Sequence, residues 1–170
     1  MIPLRYEKVE YTDVPENVKS KFDVIRETRK GLYIHGPVGT GKTHIAYSIK
    51  KHWDEVSRYG ALFWNTTELL TEIREDFDRP NIEKSRVEER LMDFKGLLIF
   101  DDIGSEKPTE WVLEKFYLVV NKRYNDMRPI IFTSNLSIPQ LAERLGDRIA
   151  SRLVEMCDII KLEGEDRRLQ

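Results

Sequence analysis

The stretch Gly36-Pro37-Val38-Gly39-Thr40-Gly41-Lys42-Thr43 limits what this chain can become more than any other segment. Its spacing is G-x-x-x-x-G-K-[ST], a loop suited to cradling phosphates. Glycines let the backbone fold tightly and turn successive N–H groups inward, and a following helix aims the positive end of its dipole at the same point. Lys42 adds a mobile positive charge for the β and γ phosphates of a nucleotide, and Thr43 adds a hydroxyl for Mg²⁺. The motif carries this meaning only between a strand and a helix, and both are legible. Leu32-Tyr33-Ile34-His35 is a short aromatic and β-branched run that enters the loop. Ile45, Ile49 and Trp53 mark one helix face out to about Arg58, and Gly60 closes that helix before a strand at Ala61–Asn65. Together they form one βαβ unit.

The remainder extends the same alternation. Residues 1–14 have no steady period and read as an arm lying over the domain, whereas Val18, Phe22 and Ile25 predict one amphipathic helix from Pro15 to Lys30, ended by Gly31. Residues 1–30 are thus an arm and helix, and residues 31–170 the nucleotide-binding domain. Leu69, Leu70 and Ile73, then Val87, Leu91 and Phe94, predict two helices within 66–94, with Asp78-Arg79-Pro80-Asn81 between them. Gly96–Asp102 is a nearly continuous apolar run ending in two acids, as expected of a central strand covered on both faces. A helix over Thr109–Asn125, with Thr109 as its N-cap, leads to a strand at Pro129–Asn135. Ser137 and Gln140 form a capping box. Ile149, Leu153 and Met156 mark a further helix before a strand at Asp158–Leu162 and a charged tail. The expected fold class is α/β: a three-layer arrangement with a five-stranded parallel sheet and helices on both faces. Ligands on such sheets bind at the carboxyl ends of the strands.

Composition excludes several other classes. With 170 residues, one core is the expected answer. The net charge of -2, from 28 Lys+Arg against 30 Asp+Glu, gives no overall attraction to nucleic acid. The helical pair at 66–94 is itself net acidic. Apolar runs such as Leu97–Phe100 and Pro129–Phe132 fall far short of the roughly 20 residues that span a bilayer. A lone Cys157 and no signal-like opening point to a reducing cytoplasm. His35, His44 and His52 lack a zinc-ligand pattern, Cys157 reads as a small buried apolar residue, and Trp53, Trp64 and Trp111 read as packing anchors.

Five positions beyond the glycine loop carry chemistry. Asp101 ends an apolar strand and suits a carboxylate that holds magnesium; Asp102 beside it would face and orient the attacking water. Asn135 ends the next strand, within reach of the γ phosphate or that water. Arg148 and Arg152, four apart, share one helix face, where either they pair on the surface with Asp147 or Glu155 or one of them serves a neighbouring subunit's nucleotide as an arginine finger.

These segments resemble the AAA+ ATPases of the DnaC/DnaI helicase-loader and IstB transposition-helper group. The resemblance runs through Ile2-Pro3-Leu4-Arg5-Tyr6, Gly36 to His44, Leu97 to Gly104, Pro108 to Trp111, Asn121 to Tyr124, Thr133 to Leu136 and Gly146 to Glu155. It implies ATP bound with Mg²⁺ by Gly36 to His44, a Walker B pair at Asp101 and Asp102, sensor 1 at Asn135, and Arg152 acting in trans with Arg148 beside it. It also implies sensor 2 at Arg168, no carboxyl-terminal helical lid, and an insertion at 66–94. The implied partners are a replicative helicase, single-stranded DNA and further copies of the chain. Two other readings belong beside this one: an IstB-like helper with a transposase as partner, and a nucleotide-gated scaffold with little turnover. Asp102 stands where many AAA+ proteins place glutamate, which predicts slow hydrolysis. Barely 30 residues precede the first strand, fewer than loaders usually carry.

Overall fold

The computed structural model describes residues 2–77, 86–105 and 108–164. Its centre is a five-stranded parallel sheet of β1 (Gly31–His35), β2 (Ala61–Asn65), β3 (Leu97–Asp101), β4 (Ile130–Ser134) and β5 (Cys157–Lys161). The strands lie side by side in the order β2-β3-β4-β1-β5, and every pairing is parallel.

Alternation along each strand builds two cores. Leu32 and Ile34 of β1, Leu97 and Ile99 of β3 and Ile131 of β4 face one side. There they meet α1 (Glu16–Asp23), α2 (Ile25–Thr28) and α3 (Lys42–Val56) through Val18, Phe22, Ile25, Ile45 and Ile49. Tyr33, Leu98, Phe100, Ile130 and Phe132 face the other side. That side carries α4 (Thr66–Phe77), α5 (Arg86–Asp93), α6 (Glu110–Asn125), α7 (Ile138–Leu145) and α8 (Asp147–Met156). Burial on both faces is why β1, β3 and β4 read as almost unbroken apolar runs. The expected three-layer fold is therefore present, and among the described residues no helix follows β5 or is long and apolar enough to cross a membrane.

The expected single helix at 15–30 is a correction. α1 stops at Asp23, and the four-residue α2 ends where Arg29 takes a left-handed conformation at φ 59°. Gly31 is not the terminator: it opens β1, where a Cβ would lie 2.0 Å from the Ile130 carbonyl oxygen. Close packing of β1 on β4, rather than helix capping, requires glycine there.

The arm lies along α3. Tyr11 stacks on His52 with centroids 4.0 Å apart, Lys51 Nζ donates to the Val9 carbonyl at 3.2 Å, and Tyr6 stacks on Tyr47 at 4.5 Å. At the amino ends of the strands, Arg123 is wholly buried and donates to the carbonyls of Phe94, Gly96 and Pro129. The capping box forms, with Ser137 N donating to Gln140 Oε1 at 2.9 Å. The segment between α4 and α5, including Asp78–Asn81, lies outside the described residues.

Candidate nucleotide-binding site

The loop after β1 owes its path to three glycines. A Cβ on Gly36 would meet the Leu162 carbonyl oxygen at 2.4 Å, and Gly39 and Gly41 adopt φ of 82° and 88°, which side chains other than glycine rarely take. Thr40 Oγ1 closes the turn onto the Pro37 carbonyl at 2.9 Å. α3 starts at Lys42, so the unpaired N–H groups of its first turn face the loop. Lys42 is buried, and its ammonium donates to the carbonyls of Gly36 and Pro37 at 2.8 and 2.6 Å. Carbonyl oxygens on the ammonium can be exchanged for phosphate oxygens, which makes this donor set fit a nucleotide.

β4 lies between β1 and β3, and its threonine joins the loop side to the acidic side. Thr133 Oγ1 donates to Asp101 Oδ1 at 2.5 Å and accepts the backbone N–H of Asp102 at 2.9 Å. Thr43 Oγ1 reaches the same carboxylate at 3.0 Å, and Thr66 Oγ1 donates to the Asp101 carbonyl at 2.9 Å. Burial raises the Asp101 carboxyl above its ordinary range, against the lowering effect of the Thr133 and Thr43 hydrogen bonds and of Lys42. A carboxylate kept dry beside a hydroxyl is short of positive charge, so Thr43 and Asp101 together suit a small hard cation.

Asp102 lies just beyond β3 at φ 59°, a conformation aspartate tolerates better than most residues. Asn135 Nδ2 donates to its Oδ1 at 3.0 Å. Lys42, Thr43, Asp101, Asp102 and Asn135 all line one cleft of about 1040 Å³, together with Val38, Gly39, Gly41 and His44. His44 Nε2 also lies 3.2 Å from Asp13 Oδ2, tying the arm to α3.

The two arginines lie elsewhere. Arg148 and Arg152 of α8 rest on α6, with their guanidinium carbons 4.4 Å from the Tyr117 ring and 4.3 Å from the Tyr124 ring. Arg152 also meets Glu155 at 3.1 Å. Neither lines the cleft. Arg168 lies outside the described residues.

Sequence reasoning missed Thr133 and Thr66 as supports of Asp101, and missed the arm residues Pro3, Arg5 and Tyr6 as cleft wall. Thr133 had a readable signal, a hydroxyl at the carboxyl end of an otherwise apolar strand. Ile2 to Tyr6 carry part of the family resemblance, but their place in the cleft wall depends on tertiary stacking.

The model of the IstB-like ATP-binding proteins matches residues 17–170. The chain belongs to that family. Among curated relatives, this IstB-like chain is 28% identical over 154 residues to the replicative helicase loader DnaI of Bacillus subtilis, covering 82% of this chain and 48% of the relative. It is 29% identical over 150 residues to the putative ATP-binding protein of insertion sequence IS5376 from Geobacillus stearothermophilus, covering 85% and 57%. It is 27% identical over 142 residues to the phage-like element PBSX protein XkdC of Bacillus subtilis, covering 80% and 51%. The IstB-like chain thus spans about half the length of the curated relatives it matches. Its fold superposes on a crystal structure of the DnaC helicase loader with a TM-score of 0.81 at 24% identity, over 94% of this chain and 99% of that one. The AMPPCP-bound DnaA from Aquifex aeolicus gives 0.78 at 20% identity, over 94% of this chain and 51% of that one. Both likenesses are of the P-loop NTPase fold.

Proposed function

We propose that this chain is a Mg²⁺-dependent AAA+ ATPase of the helicase-loader type, in which nucleotide state governs contacts with a replicative helicase and single-stranded DNA. The observation that carries the chemistry is the contact between Thr43 and Asp101. It joins the first turn of the phosphate loop's helix to the acid at the end of β3, with the Lys42 ammonium held at the same loop.

The amides of Gly39 to Thr43 and the amino end of α3 would hold the phosphate chain, with His44 at its edge. Lys42 would leave its two carbonyls for the β and γ phosphate oxygens. Thr43 and Asp101 would hold magnesium, which supplies charge neutralisation between those phosphates. Asp102 would orient the attacking water and take its proton, with Asn135 fixing the carboxylate's direction. Because Arg148 and Arg152 are absent from their own cleft, an arginine reaching the reacting phosphate from α8 must come from a neighbouring copy. Arg152 is our choice, with Arg148 beside it, so efficient turnover requires a homo-oligomer. The nearly dry environment around Asp101 lets each of these charges act more strongly than in water.

A second reading, a transposition helper, is favoured by the 29% identity to the insertion-sequence ATP-binding protein, of which the chain covers the larger share. The chemistry is the same and the partner differs. Copurification with a replicative helicase supports the loader reading, and copurification with a transposase supports the helper.

The core of both readings is tested by titrating the protein with a fluorescent ATP analogue and measuring phosphate release. Lys42→Ala should abolish binding, and EDTA should remove hydrolysis. Undiminished binding by Lys42→Ala would refute the site.

A further inference from the structure

The arm delivers Arg5 to the cleft by a chain of fixed contacts. Asp13 meets His44, Tyr11 stacks on His52, and Lys51 takes the Val9 carbonyl. Tyr6 then stacks on Tyr47 at 4.5 Å, and Tyr47 stacks on Phe63 of β2 at 3.9 Å. A 3-10 turn at Leu4–Tyr6, closed by Tyr6 N donating to the Pro3 carbonyl at 2.8 Å, sets Arg5 beside this three-ring stack. Arg5 lines the same cleft as Lys42, Thr43, Asp101 and Asp102.

Among the described residues Arg5 makes no ion pair or hydrogen bond, although Asp101, Asp102 and Glu68 also line the cleft. A guanidinium that meets none of those carboxylates is available to an anion bound in the cleft. The cleft itself calls for more positive charge: a magnesium-bound triphosphate remains anionic, the three acids add to it, and Lys42 is one cation. A guanidinium also matches phosphate oxygens with two parallel donors, which an ammonium cannot do.

The side of approach determines which phosphate is met. Phe63 and Asn65 belong to β2, and Asn65 pairs in register with Asp101. The arm therefore enters at the β2–β3 end, beside the proposed metal carboxylate and Asp102, and opposite the β5 edge of the sheet. That is the end where the terminal phosphate and attacking water would lie. Resting on the ATP reading of this cleft, we infer that Arg5 is a phosphate-binding residue supplied in cis by the amino-terminal arm, contacting the terminal phosphate and thereby separating ATP from ADP.

The test compares affinities of the full chain for a nonhydrolysable ATP analogue and for ADP, each with magnesium, by isothermal titration. Arg5→Ala should weaken the ATP analogue by about tenfold or more, the loss of one charge-assisted contact, while ADP affinity moves by less than about twofold. Arg5→Lys should fall between wild type and alanine. Tyr6→Ala, which frees the arm with Arg5 intact, should reproduce most of the selective loss, and Tyr6→Phe should not. Equal weakening of both nucleotides, or of neither, by Arg5→Ala overturns the assignment. A wild-type chain that binds neither nucleotide refutes the ATP reading as well. A wild type that binds both, with an unaltered Arg5→Ala, refutes the role of Arg5 alone.

Discussion

Asn135 donates its side-chain amide to Asp102 across 3.0 Å, joining the ends of β3 and β4 in front of the phosphate loop. The same aspartate is held from behind, where its backbone N–H donates to Thr133 Oγ1 and its φ is 59°. Main chain and side chain together leave the carboxylate one direction. Asp102→Asn should therefore lower the hydrolysis rate by roughly 10² to 10⁴ through loss of the base. Asn135→Ala should lower it by about tenfold or more through loss of orientation, with little change in ATP affinity. Single-turnover phosphate release beside a binding titration separates the two effects. Wild-type turnover by Asn135→Ala would show that the amide does not set the carboxylate.

Arg123 has a structural task at the other end of the sheet. Its guanidinium binds the carbonyls of Phe94, Gly96 and Pro129 at 2.7 to 2.8 Å, just before β3 and β4 begin. Burial pulls its pKa down to about 9, so it remains charged at neutral pH. Arg123→Met fills the space but removes the guanidinium from the Gly96 and Pro129 carbonyls, at about 1 to 3 kcal/mol for each that stays dry, while the Phe94 carbonyl keeps Arg128 at 3.3 Å. Denaturant unfolding should show a loss of about 3 kcal/mol or more. Nucleotide affinity of the folded fraction should be unchanged, because the cleft lies at the opposite strand ends. A midpoint within error of wild type would contradict this account.

His35 gives the fold a modest acid sensitivity. Burial, with Lys161 and Lys42 adding to it, holds His35 below its ordinary 6.5, and Lys161 is its register partner on β5. As pH falls below 6.5, the unfolded chain takes up this proton before the folded one does. The associated stability is full above that value and is lost as pH falls towards the folded pKa. Melting temperature should thus drop more between about pH 7 and about pH 5 for wild type than for His35→Gln. Parallel profiles for the two proteins would remove His35 from the pH dependence.

The sequence made the fold legible where a residue's role is local or periodic. Leu32–His35, Ala61–Asn65 and Leu97–Asp101 read as strands because two-sided burial demands continuous apolar residues, and the glycine loop has few conformational solutions. Asp101, Asp102 and Asn135 were readable as polar residues at strand ends, where parallel sheets place ligands. What was not readable depends on register or distant stacking. Gly31 looks like a helix stop until β4 is brought against β1, leaving 2.0 Å where a side chain would go. Thr133 stands out as a hydroxyl in an apolar strand, but its two partners, Asp101 and the Asp102 amide, follow only from the placement of β4 beside β3. Tyr6, Tyr47 and Phe63 are widely separated aromatics whose stack exists only after the arm is laid on α3.

The arginines of α8 give the most demanding prediction. Tyr117 and Tyr124, seven apart on α6, present rings to Arg148 and Arg152, four apart on α8. An aromatic face steadies a guanidinium without neutralising it, and Glu155 holds Arg152 in addition at 3.1 Å. If Arg152 serves a neighbouring cleft, Arg152→Ala should keep ATP affinity and lose about 10³-fold or more in turnover. Tyr124→Phe keeps the ring and should hydrolyse near the wild-type rate, whereas Tyr124→Leu should lose part of it. Subunit mixing provides the sharper test. Lys42→Ala subunits lack a working cleft but retain Arg152, and Arg152→Ala subunits have the reverse defect. Mixed at assembling concentrations, each alone inactive, they should regain hydrolysis wherever an intact cleft meets an intact arginine. Recovery requires the arginine to act across the subunit boundary, and a mixture as inactive as its components would exclude that arrangement.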